Sequence, residues 1–295
     1  MDNQFAKICL PLGLKLAEWD GMPDTLKEHL EFNGKRWGLL EDIVDCWHAG
    51  ISTIVSTACK CFRWGWTTTA TVHGQTDFTP PPQYQMEDNA FHIVFARYSF
   101  QYLNFDYNIL PGNTLRLFAG IPLGEPLTIY AMRNDDIQDI HYEHCAVPAL
   151  PYAFSPPVTV DRAPGRQLVF AHSSFRFLDS ARPGDEYTVS NTLNTVSLSA
   201  GLGPVGARAA LFRLKESCVD WHEEILADTA GQTVFEPIHL GNRFVPHQEH
   251  RMIVASRTSF RHPGIDYVTN PLGNTLTLLR HPMGFGDPLN VWIYR

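Results

Sequence analysis

The chain has 295 residues, of which 44% are hydrophobic and 18% charged, and its formal net charge is −8 at pH 7. This length exceeds a usual domain of roughly 100 to 200 residues, and the apolar content can fill packed cores, which excludes a disordered chain. The acidic balance, without a Lys/Arg cluster, excludes general binding to nucleic-acid phosphates. The sequence has neither a signal-peptide pattern nor the roughly 18-residue apolar run of a membrane helix, so we predict no membrane insertion.

Residues 1–68 differ from the rest of the chain and lack its repeat. The stretch Leu39–Trp47 places apolar residues at amphipathic-helix spacing, so this segment is predicted to be irregular and partly helical. It contains five of the seven tryptophans, which are Trp19, Trp37, Trp47, Trp64 and Trp66. These tryptophans form either a small local core or an assembly interface. We favour the interface, and an anchoring role for residues 1–68, because so short a segment would be marginally stable alone.

A repeat of about 80 residues organises the remaining sequence. Its clearest element is Asn-Thr-apolar-x-Leu, which begins at Asn113–Thr114, Asn194–Thr195 and Asn274–Thr275, spaced 81 and 80 residues apart. Before it come a Ser-Phe pair, at Ser99–Phe100, Ser174–Phe175 and Ser259–Phe260, and an acidic residue followed by tyrosine, at Asp106–Tyr107, Glu186–Tyr187 and Asp266–Tyr267. An arginine closes each copy, at Arg133, Arg213 and Arg295. The ordered agreement indicates three tandem copies, of which the second is the most divergent.

Within a copy the apolar residues follow the period of β-strands. Leu115 and Leu117 alternate with polar neighbours, as do Leu127 and Ile129, which indicates half-buried antiparallel strands. The run Ile93–Ala96 is continuously apolar and predicts a central strand covered on both faces. Turn formers separate strands too closely spaced for helical crossovers, so each copy is predicted to have five or six strands in antiparallel hairpins.

The predicted fold class is therefore all-β, with three tandem antiparallel β-sandwich modules after the N-terminal segment. The modules are placed at residues 69–134, 148–214 and 228–295. The polar, proline-containing stretch between the first two is interpreted as a linker. Residues 216–230 carry Val219, Trp221, Ile225 and Leu226 at roughly helical spacing, so we predict one short helix there.

The repeated polar residues have structural interpretations that need no chemistry. Asn113, Asn194 and Asn274 are predicted to hydrogen-bond their own backbone in a turn. Tyr107, Tyr187 and Tyr267 are predicted to fill a sheet edge while each hydroxyl caps a loop.

Candidate metal and redox residues give only weak signals. The six cysteines, Cys9, Cys46, Cys59, Cys61, Cys145 and Cys218, show no paired framework and are predicted to be free thiols. The best metal candidates are His141–Cys145 and His247–His250, but each lacks a third ligand at a typical spacing. We interpret both as polar loops and predict no metal and no cofactor.

The sequence contains no motif for nucleotide binding or covalent catalysis, such as a Gly-rich phosphate loop, Gly-x-Ser-x-Gly or His-Glu-x-x-His. Asp106 and Asp266 are a tempting glycosidase pair, but they recur because the module recurs. We therefore predict that the protein is not an enzyme. An enzyme acting on envelope polysaccharide is kept as an alternative.

The order of the motifs resembles a known family. Gly74–Phe78 and Gly231–Phe235 share Gly-Gln-Thr-x-Phe, and the Ser-Phe, Asp-Tyr and Asn-Thr-Leu elements follow. Gly124–Leu127 and Gly286–Leu289 share Gly-acidic-Pro-Leu before the terminal strand. This pattern resembles the virion-attaching N-terminal module of the tail fibres of short-tailed bacteriophages, and related modules of phage collar, tail and appendage proteins. The resemblance covers residues 71–133 and 231–295 well and residues 152–214 more loosely.

The resemblance implies a virion structural protein, either a tail or collar fibre or an adaptor, that binds other virion proteins through its sandwiches in a symmetric homo-oligomer such as a trimer. The expected location is the virion, after synthesis in the host cytoplasm. No shaft or receptor-binding tip follows the third module, which favours an adaptor. Two alternatives stay open: a capsid decoration protein, and a host receptor- or glycan-binding appendage that uses the aromatic loops Tyr84–Met86 and Phe100–Phe105.

Overall fold

The computed structural model describes residues 62–86, 90–133, 137–144, 152–156, 164–178, 186–190, 192–199, 205–215, 218–244 and 249–294, with only the backbone for residues 62, 90, 133, 137–144 and 164. All of them belong to one compact unit, residues 61–295. The predicted helix at residues 39–47 and the tryptophans Trp19, Trp37 and Trp47 lie outside the described residues. The described residues contain no α-helix, and the prediction of an all-β fold is confirmed.

The described strands fall into three successive sets of seven, which we call modules 1, 2 and 3. Module 1 comprises β1 (Phe62–Thr69), β2 (Gln75–Phe78), β3 (Ala90–Ala96), β4 (Ser99–Gln101), β5 (Tyr107–Leu110), β6 (Thr114–Ile121) and β7 (Pro126–Arg133). Module 2 comprises β8 (Ile137–His144), β9 (Tyr152–Phe154), β10 (Gln167–Ala171), β11 (Ser174–Leu178), β12 (Glu186–Ser190), β13 (Thr195–Leu198) and β14 (Arg208–Leu214). Module 3 comprises β15 (Val219–Leu226), β16 (Val234–Phe235), β17 (Met252–Ser256), β18 (Ser259–Arg261), β19 (Tyr267–Asn270), β20 (Thr275–Leu278) and β21 (Pro288–Tyr294).

The three modules pair their strands in the same order. The inner sheets have the orders β1-β7-β3-β4, β8-β14-β10-β11 and β15-β21-β17-β18. The outer sheets have the orders β2-β6-β5, β9-β13-β12 and β16-β20-β19. All strand pairs within these sheets are antiparallel. In module 2 the fourth and fifth strands, β11 and β12, also form a parallel pair, which joins the two sheets into one.

Each module closes its two sheets over an apolar core. In module 1, Val94 and Ile129 of the inner sheet pack with Leu115 and Tyr107 of the outer sheet, and all four are at most 1% exposed. At roughly 25 cal/mol per Å² of apolar surface, each such side chain contributes about 1.5–3 kcal/mol to folding. The corresponding cores of modules 2 and 3 use the same strand positions.

The opposite face of every inner sheet is buried as well, and this explains the continuous apolar run of β3. Ile93 and Phe95 point away from the core of module 1 into a cluster shared by all three modules. The predicted coverage of Ile93–Ala96 on both faces is therefore confirmed, since these residues are at most 4% exposed. The strand is covered by its own outer sheet on one side and by the neighbouring modules on the other.

Three expectations about the segments between copies need correction. The predicted helix at residues 216–230 is wrong because β15 occupies Val219–Leu226. The linker interpretation of residues 135–147 is wrong because β8 lies there, paired with β14. Within the described residues each module has seven strands rather than five or six, because its first strand precedes the repeated motifs and pairs with the seventh strand.

Candidate functional site

A central aromatic cluster, which we call the hub, joins the three modules. It gathers the outward face of each inner sheet and includes the phenylalanine of every Ser-Phe pair, Phe100, Phe175 and Phe260. All three are at most 1% exposed. The sequence repeats these residues because each module supplies one of them to the same centre.

Each of these phenylalanines stacks on a ring of the next module. Phe100 lies 4.2 Å from Phe170, and Phe260 lies 3.8 Å from Phe95. Module 3 has Ala255 where modules 1 and 2 have Phe95 and Phe170, and there Phe175 stacks instead on Trp292 at 5.6 Å. A bulky ring at a neighbouring position thus fills the space that a small residue leaves, as close-packed interiors require.

Backbone hydrogen bonds close the modules into a ring. The amide of Phe100 donates to the carbonyl of Ser173, the amide of Phe175 to that of Thr258, and the amide of Phe260 to that of Tyr98. The acceptors occupy the same place in the β3–β4, β10–β11 and β17–β18 turns. Each module therefore bonds to the next in one direction, and module 3 returns to module 1, which produces approximate threefold symmetry within a single chain.

The junction between modules 3 and 1 is polar at its centre. His262 is fully buried, and its Nε2 donates to the carbonyl of Arg97. Its Nδ1 lies 2.7 Å from the hydroxyl of Thr128, so the neutral ring accepts that proton. Burial, and then the nearby Arg261, lower the pKa of His262 to about 3, which keeps it neutral near pH 7.

The other two junctions place different residues at the position of His262. Between modules 1 and 2 the residue is Tyr102, whose hydroxyl donates to the carbonyl of Arg208 at 3.1 Å. The Arg208 guanidinium also lies over the ring of Phe105 at 4.2 Å. Between modules 2 and 3 the residue is Phe177, which stacks on Trp292 at 5.9 Å. The three junctions are therefore geometrically related and chemically distinct.

A half-buried histidine lies beside the junction of modules 2 and 3. His222 stacks on Trp292 at 4.8 Å, and its Nε2 donates to Oδ1 of Asn290 at 3.2 Å. Burial lowers the pKa of His222 to about 4. The neighbouring Glu223 is 4% exposed, and its carboxylate accepts backbone amides from Ile238 and His239.

Asn113 and Asn274 bond other loops rather than their own turn as predicted, and Asn194 donates to the carbonyl of Pro156 at 2.8 Å. Each lies in the left-handed region, with φ values of 63°, 50° and 51° for Asn113, Asn194 and Asn274. Asn113 donates to the carbonyl of Tyr84 and accepts from the amide of Met86, so it holds a loop about 30 residues earlier in the chain. Asn274 binds the equivalent loop in module 3. The repeated asparagine therefore links its turn to an earlier loop by hydrogen bonds. The threonines that follow it, Thr114, Thr195 and Thr275, begin the next strands.

The three repeated tyrosines lie on the fifth strand of each module, which in modules 1 and 3 is an edge strand of the outer sheet. Tyr107, Tyr187 and Tyr267 are at most 1% exposed and belong to the module cores. The hydroxyl of Tyr107 donates to the carbonyl of His92 in β3. The edge position thus agrees with the prediction in modules 1 and 3, whereas the Tyr107 hydroxyl bonds a strand carbonyl instead of capping a loop.

The tryptophans of the predicted assembly interface that can be placed are part of module 1. Trp64 is 9% exposed, belongs to the core of module 1, and donates from Nε1 to the carbonyl of Gln85. Trp66 packs against the same core. For these two residues the local-core interpretation is correct, because β1 is an integral strand of the inner sheet.

The two aromatic loops predicted as candidates for glycan binding, Tyr84–Met86 and Phe100–Phe105, have most of their rings packed against other residues. Met86 is 9% exposed, and Tyr84 packs on Trp64 at 5.6 Å. Phe100 and Tyr102 are buried in the hub, and Phe105 is 41% exposed beneath Arg208. Most of these rings therefore contribute to packing.

One cysteine prediction is wrong. Cys218 is buried in the hub and is disulfide-bonded, and its partner lies outside the described residues. The side chains of His141–Cys145 and of His247 also lie outside the described residues. Among the side chains that the structure describes, no group of three His, Cys, Asp or Glu could hold a metal ion. No helix in the described part of the chain is long and apolar enough to cross a membrane.

Three cavities lie at the junctions. One of about 330 Å³ is lined by β11 and β12 of module 2 and by β15 and β21 of module 3. Its counterpart, of about 340 Å³, is lined by the equivalent strands β19 of module 3 and β1 and β7 of module 1. A third cavity, of about 300 Å³, lies between the β17–β18 turn, the loop before β21 and Tyr98.

Comparison with known proteins adds no relative. The chain matches no protein-family model and no curated protein.

Proposed function

We propose that this chain is a non-enzymatic structural protein of a bacteriophage particle, an adaptor or a tail or collar fibre that attaches to other virion proteins through its β-sandwich modules. The order of the repeated motifs, with its resemblance to virion-attaching modules, supports the class. The ring of three modules supports the mechanism, because a closed hub supplies a rigid body on which several contact loops keep fixed positions.

A set of exposed apolar side chains carries the proposal of attachment. Leu123, Val205 and Phe285 occupy the same position in the loop before the last strand of modules 1, 2 and 3, each directly before a left-handed glycine. Their exposed fractions are 63%, 63% and 77%. Exposed apolar residues that recur in all three modules suit a protein interface, since they leave water only when a partner covers them. We call these three residues the apolar knobs.

A particle-assembly experiment tests the proposal. The protein is expected in purified particles at a fixed ratio to the major capsid protein, and a triple variant with serine at each knob is expected to be lost from them. Leu240→Ser/Leu272→Ser is the control, since both leucines are at least 93% exposed but are not repeated in the other modules. Particles that form and infect normally without the protein, or that never contain it, would refute the structural role.

The oligomeric state is a separate part of the proposal. A homo-oligomer, with a trimer as the first expectation, should have a mass in solution near three times the chain mass of 33.3 kDa. Light scattering measures this directly. A monomer would leave the ring of modules within one chain as the sole source of threefold geometry.

A further inference from the structure

The third cavity, which we call the anion pocket, lies on the edge of module 3 beside module 1. It occupies about 300 Å³ and is lined by polar groups from three segments: the β17–β18 turn, the loop before β21 and Tyr98 of module 1. Its lining includes Tyr98, Arg257, Ser259, Arg261 and His281. No role in the hub or the module cores accounts for this concentration of cationic groups.

Arg261 is the central group of the anion pocket. The residue is 8% exposed, its Nε donates to the hydroxyl of Ser256 at 2.8 Å, and one terminal nitrogen donates to the same oxygen. Among the described residues no carboxylate lies within ion-pair distance of it, and three of its five N–H donors have no acceptor. Burying a guanidinium without a counter-ion is costly, and this burial lowers the pKa of Arg261.

The other charged groups near the pocket do not contact Arg261 directly. Arg257 pairs with Asp287 at 2.6 Å, and the same carboxylate oxygen accepts the amide of Gly284 at 2.8 Å. Arg257 is therefore held by Asp287, whereas Arg261 is not within ion-pair distance of that carboxylate. His281 lies 3.3 Å from the Tyr98 hydroxyl, and Asp266 acts on Arg261 from a greater distance. Among the described residues, Arg261 thus has no carboxylate at ion-pair distance, and it lies close to hydroxyl groups of the pocket.

The equivalent positions in module 1 lack this arrangement. Gln101 replaces Arg261 and donates to the carbonyls of Ser99 and Phe100. Ala96 replaces Ser256 at the end of the third strand. Module 1 thus shows that the turn can fold with glutamine at the position where module 3 has Arg261 and module 2 has Arg176.

We propose that the anion pocket binds one oxyanion, a phosphate or a carboxylate, held by the guanidinium groups of Arg261 and Arg257 and by the hydroxyls of Ser259 and Tyr98. Arginine suits this ligand because its planar fork donates two parallel hydrogen bonds to an oxyanion. The ligand would supply a counter-charge in direct contact with Arg261, which Asp266 does not make.

Titration calorimetry of the full-length protein tests the site, with inorganic phosphate in one series and acetate in another. At least one anion is expected to saturate a single site. Arg261→Gln, which installs the residue of module 1, is expected to weaken that binding at least tenfold, because charge-assisted hydrogen bonds are the strong ones. Arg176→Gln alters the equivalent position in module 2 and is expected to leave affinity within twofold.

The outcomes separate the sources of the ligand. Phosphate binding at least fivefold tighter than acetate would identify a phosphate, whereas equal or tighter acetate binding would identify a carboxylate, as on an acidic side chain of a partner. Saturation by neither anion, or unchanged binding in a folded Arg261→Gln protein, would refute the site. If Arg261→Gln failed to fold, Arg261→Lys would replace it, with the same tenfold loss expected because Lys lacks the planar fork.

Discussion

Two junctions, that of modules 3 and 1 and that of modules 2 and 3, have the same geometry but place glycine and histidine on opposite sides. In both, a short 3₁₀ turn of one module packs on the first strand of the next. Between modules 3 and 1 the strand residue is Gly65, where a Cβ would clash with the carbonyl of His250 in the turn. Between modules 2 and 3 the turn residue is Gly165, and the strand carries His222 at the place of Gly65.

The comparison shows that the turn and the strand can pack closely only if one of them has a small residue at the contact, and either one can supply it. A histidine opposes a glycine at both junctions, but on opposite sides. The centres of the junctions differ more deeply, because His262 and Thr128 form a polar contact at one, whereas Phe177 and Trp292 stack at the other. The predictions below test whether the ring depends on shape, which the junctions share, or on polarity, in which they differ.

The largest expected effect comes from removing a ring shared by two modules. Phe260→Ala is expected to lower the free energy of unfolding by about 3–5 kcal/mol, because it removes a fully buried ring stacked on Phe95 and leaves a cavity. Phe177→Ala, at the apolar junction, is expected to cost a similar amount. Denaturant unfolding monitored by tryptophan fluorescence measures both. A loss below about 1 kcal/mol for either variant would show that its junction does not support the ring.

Low pH is expected to weaken the junction of modules 3 and 1, which contains His262, and the junction of modules 2 and 3, beside which His222 lies, more than the junction of modules 1 and 2. The pKa of His262 is lowered to about 3 and that of His222 to about 4, chiefly by burial. Because each folded-state pKa lies below the unfolded value of about 6.5, the unfolded chain binds protons first as the pH falls. Stability is therefore complete above about pH 6.5 and declines toward these folded-state values, at up to about 1.4 kcal/mol per pH unit for each histidine.

A matched variant assigns that pH dependence. His262→Phe/Thr128→Ala gives the junction of modules 3 and 1 the residues that module 2 has at these two positions, Phe177 and Ala210. The double variant should reduce the slope of stability between pH 6 and 4.5 by about half. Arg261 and Asp266 also act near His262, but burial raises the pKa of Asp266, which opposes the loss. An unchanged slope in the double variant would show that other groups carry the acid response.

The exchange of glycine and histidine predicts unequal costs for a single methyl group. Gly65→Ala is expected to destabilise the fold by about 2–3 kcal/mol, because the new Cβ would overlap backbone atoms that cannot move independently. Gly165→Ala is expected to cost less than about 1 kcal/mol, since its Cβ would lie 3.1 Å from side-chain atoms of Val219 and His222 that can shift. Thermal unfolding compares the pair, and equal costs would contradict the assignment of Gly65 to a rigid contact.

The sequence predicted the repeated parts of the fold because local pattern and packing agree there. Ile93–Ala96 is continuously apolar because both faces of β3 are buried, and the repeated Ser-Phe pairs follow from the hub. The sequence pattern could not show that the second face of β3 is covered by the neighbouring modules. Three copies of a phenylalanine indicate three equivalent environments, but only the fold brings them together.

The first strand of each module was missed for a physical reason that β15 illustrates. Trp221, Glu223 and Ile225 are its buried residues, so the period of a strand is present. The middle one is a carboxylate, satisfied by backbone amides of Ile238 and His239, and an apolar pattern cannot register it. The remaining apolar residues then mimic helical spacing. Likewise, the ties made by Asn113 span about 30 residues, beyond the reach of turn rules.

The smallest effect is expected at the junction of modules 1 and 2, where polarity and shape can be separated by one atom. Tyr102→Phe removes the hydroxyl that bonds the Arg208 carbonyl and keeps the ring against Phe100. We expect a loss of about 1 kcal/mol, the usual net worth of a neutral hydrogen bond. Tyr107→Phe is the control, since its hydroxyl makes a bond of the same length inside module 1. Equal losses would mean that a hydrogen bond between modules is worth no more than one within a module, so that shape holds the ring closed; a loss above about 3 kcal/mol for Tyr102→Phe alone would mean that each junction depends on its own polar contact.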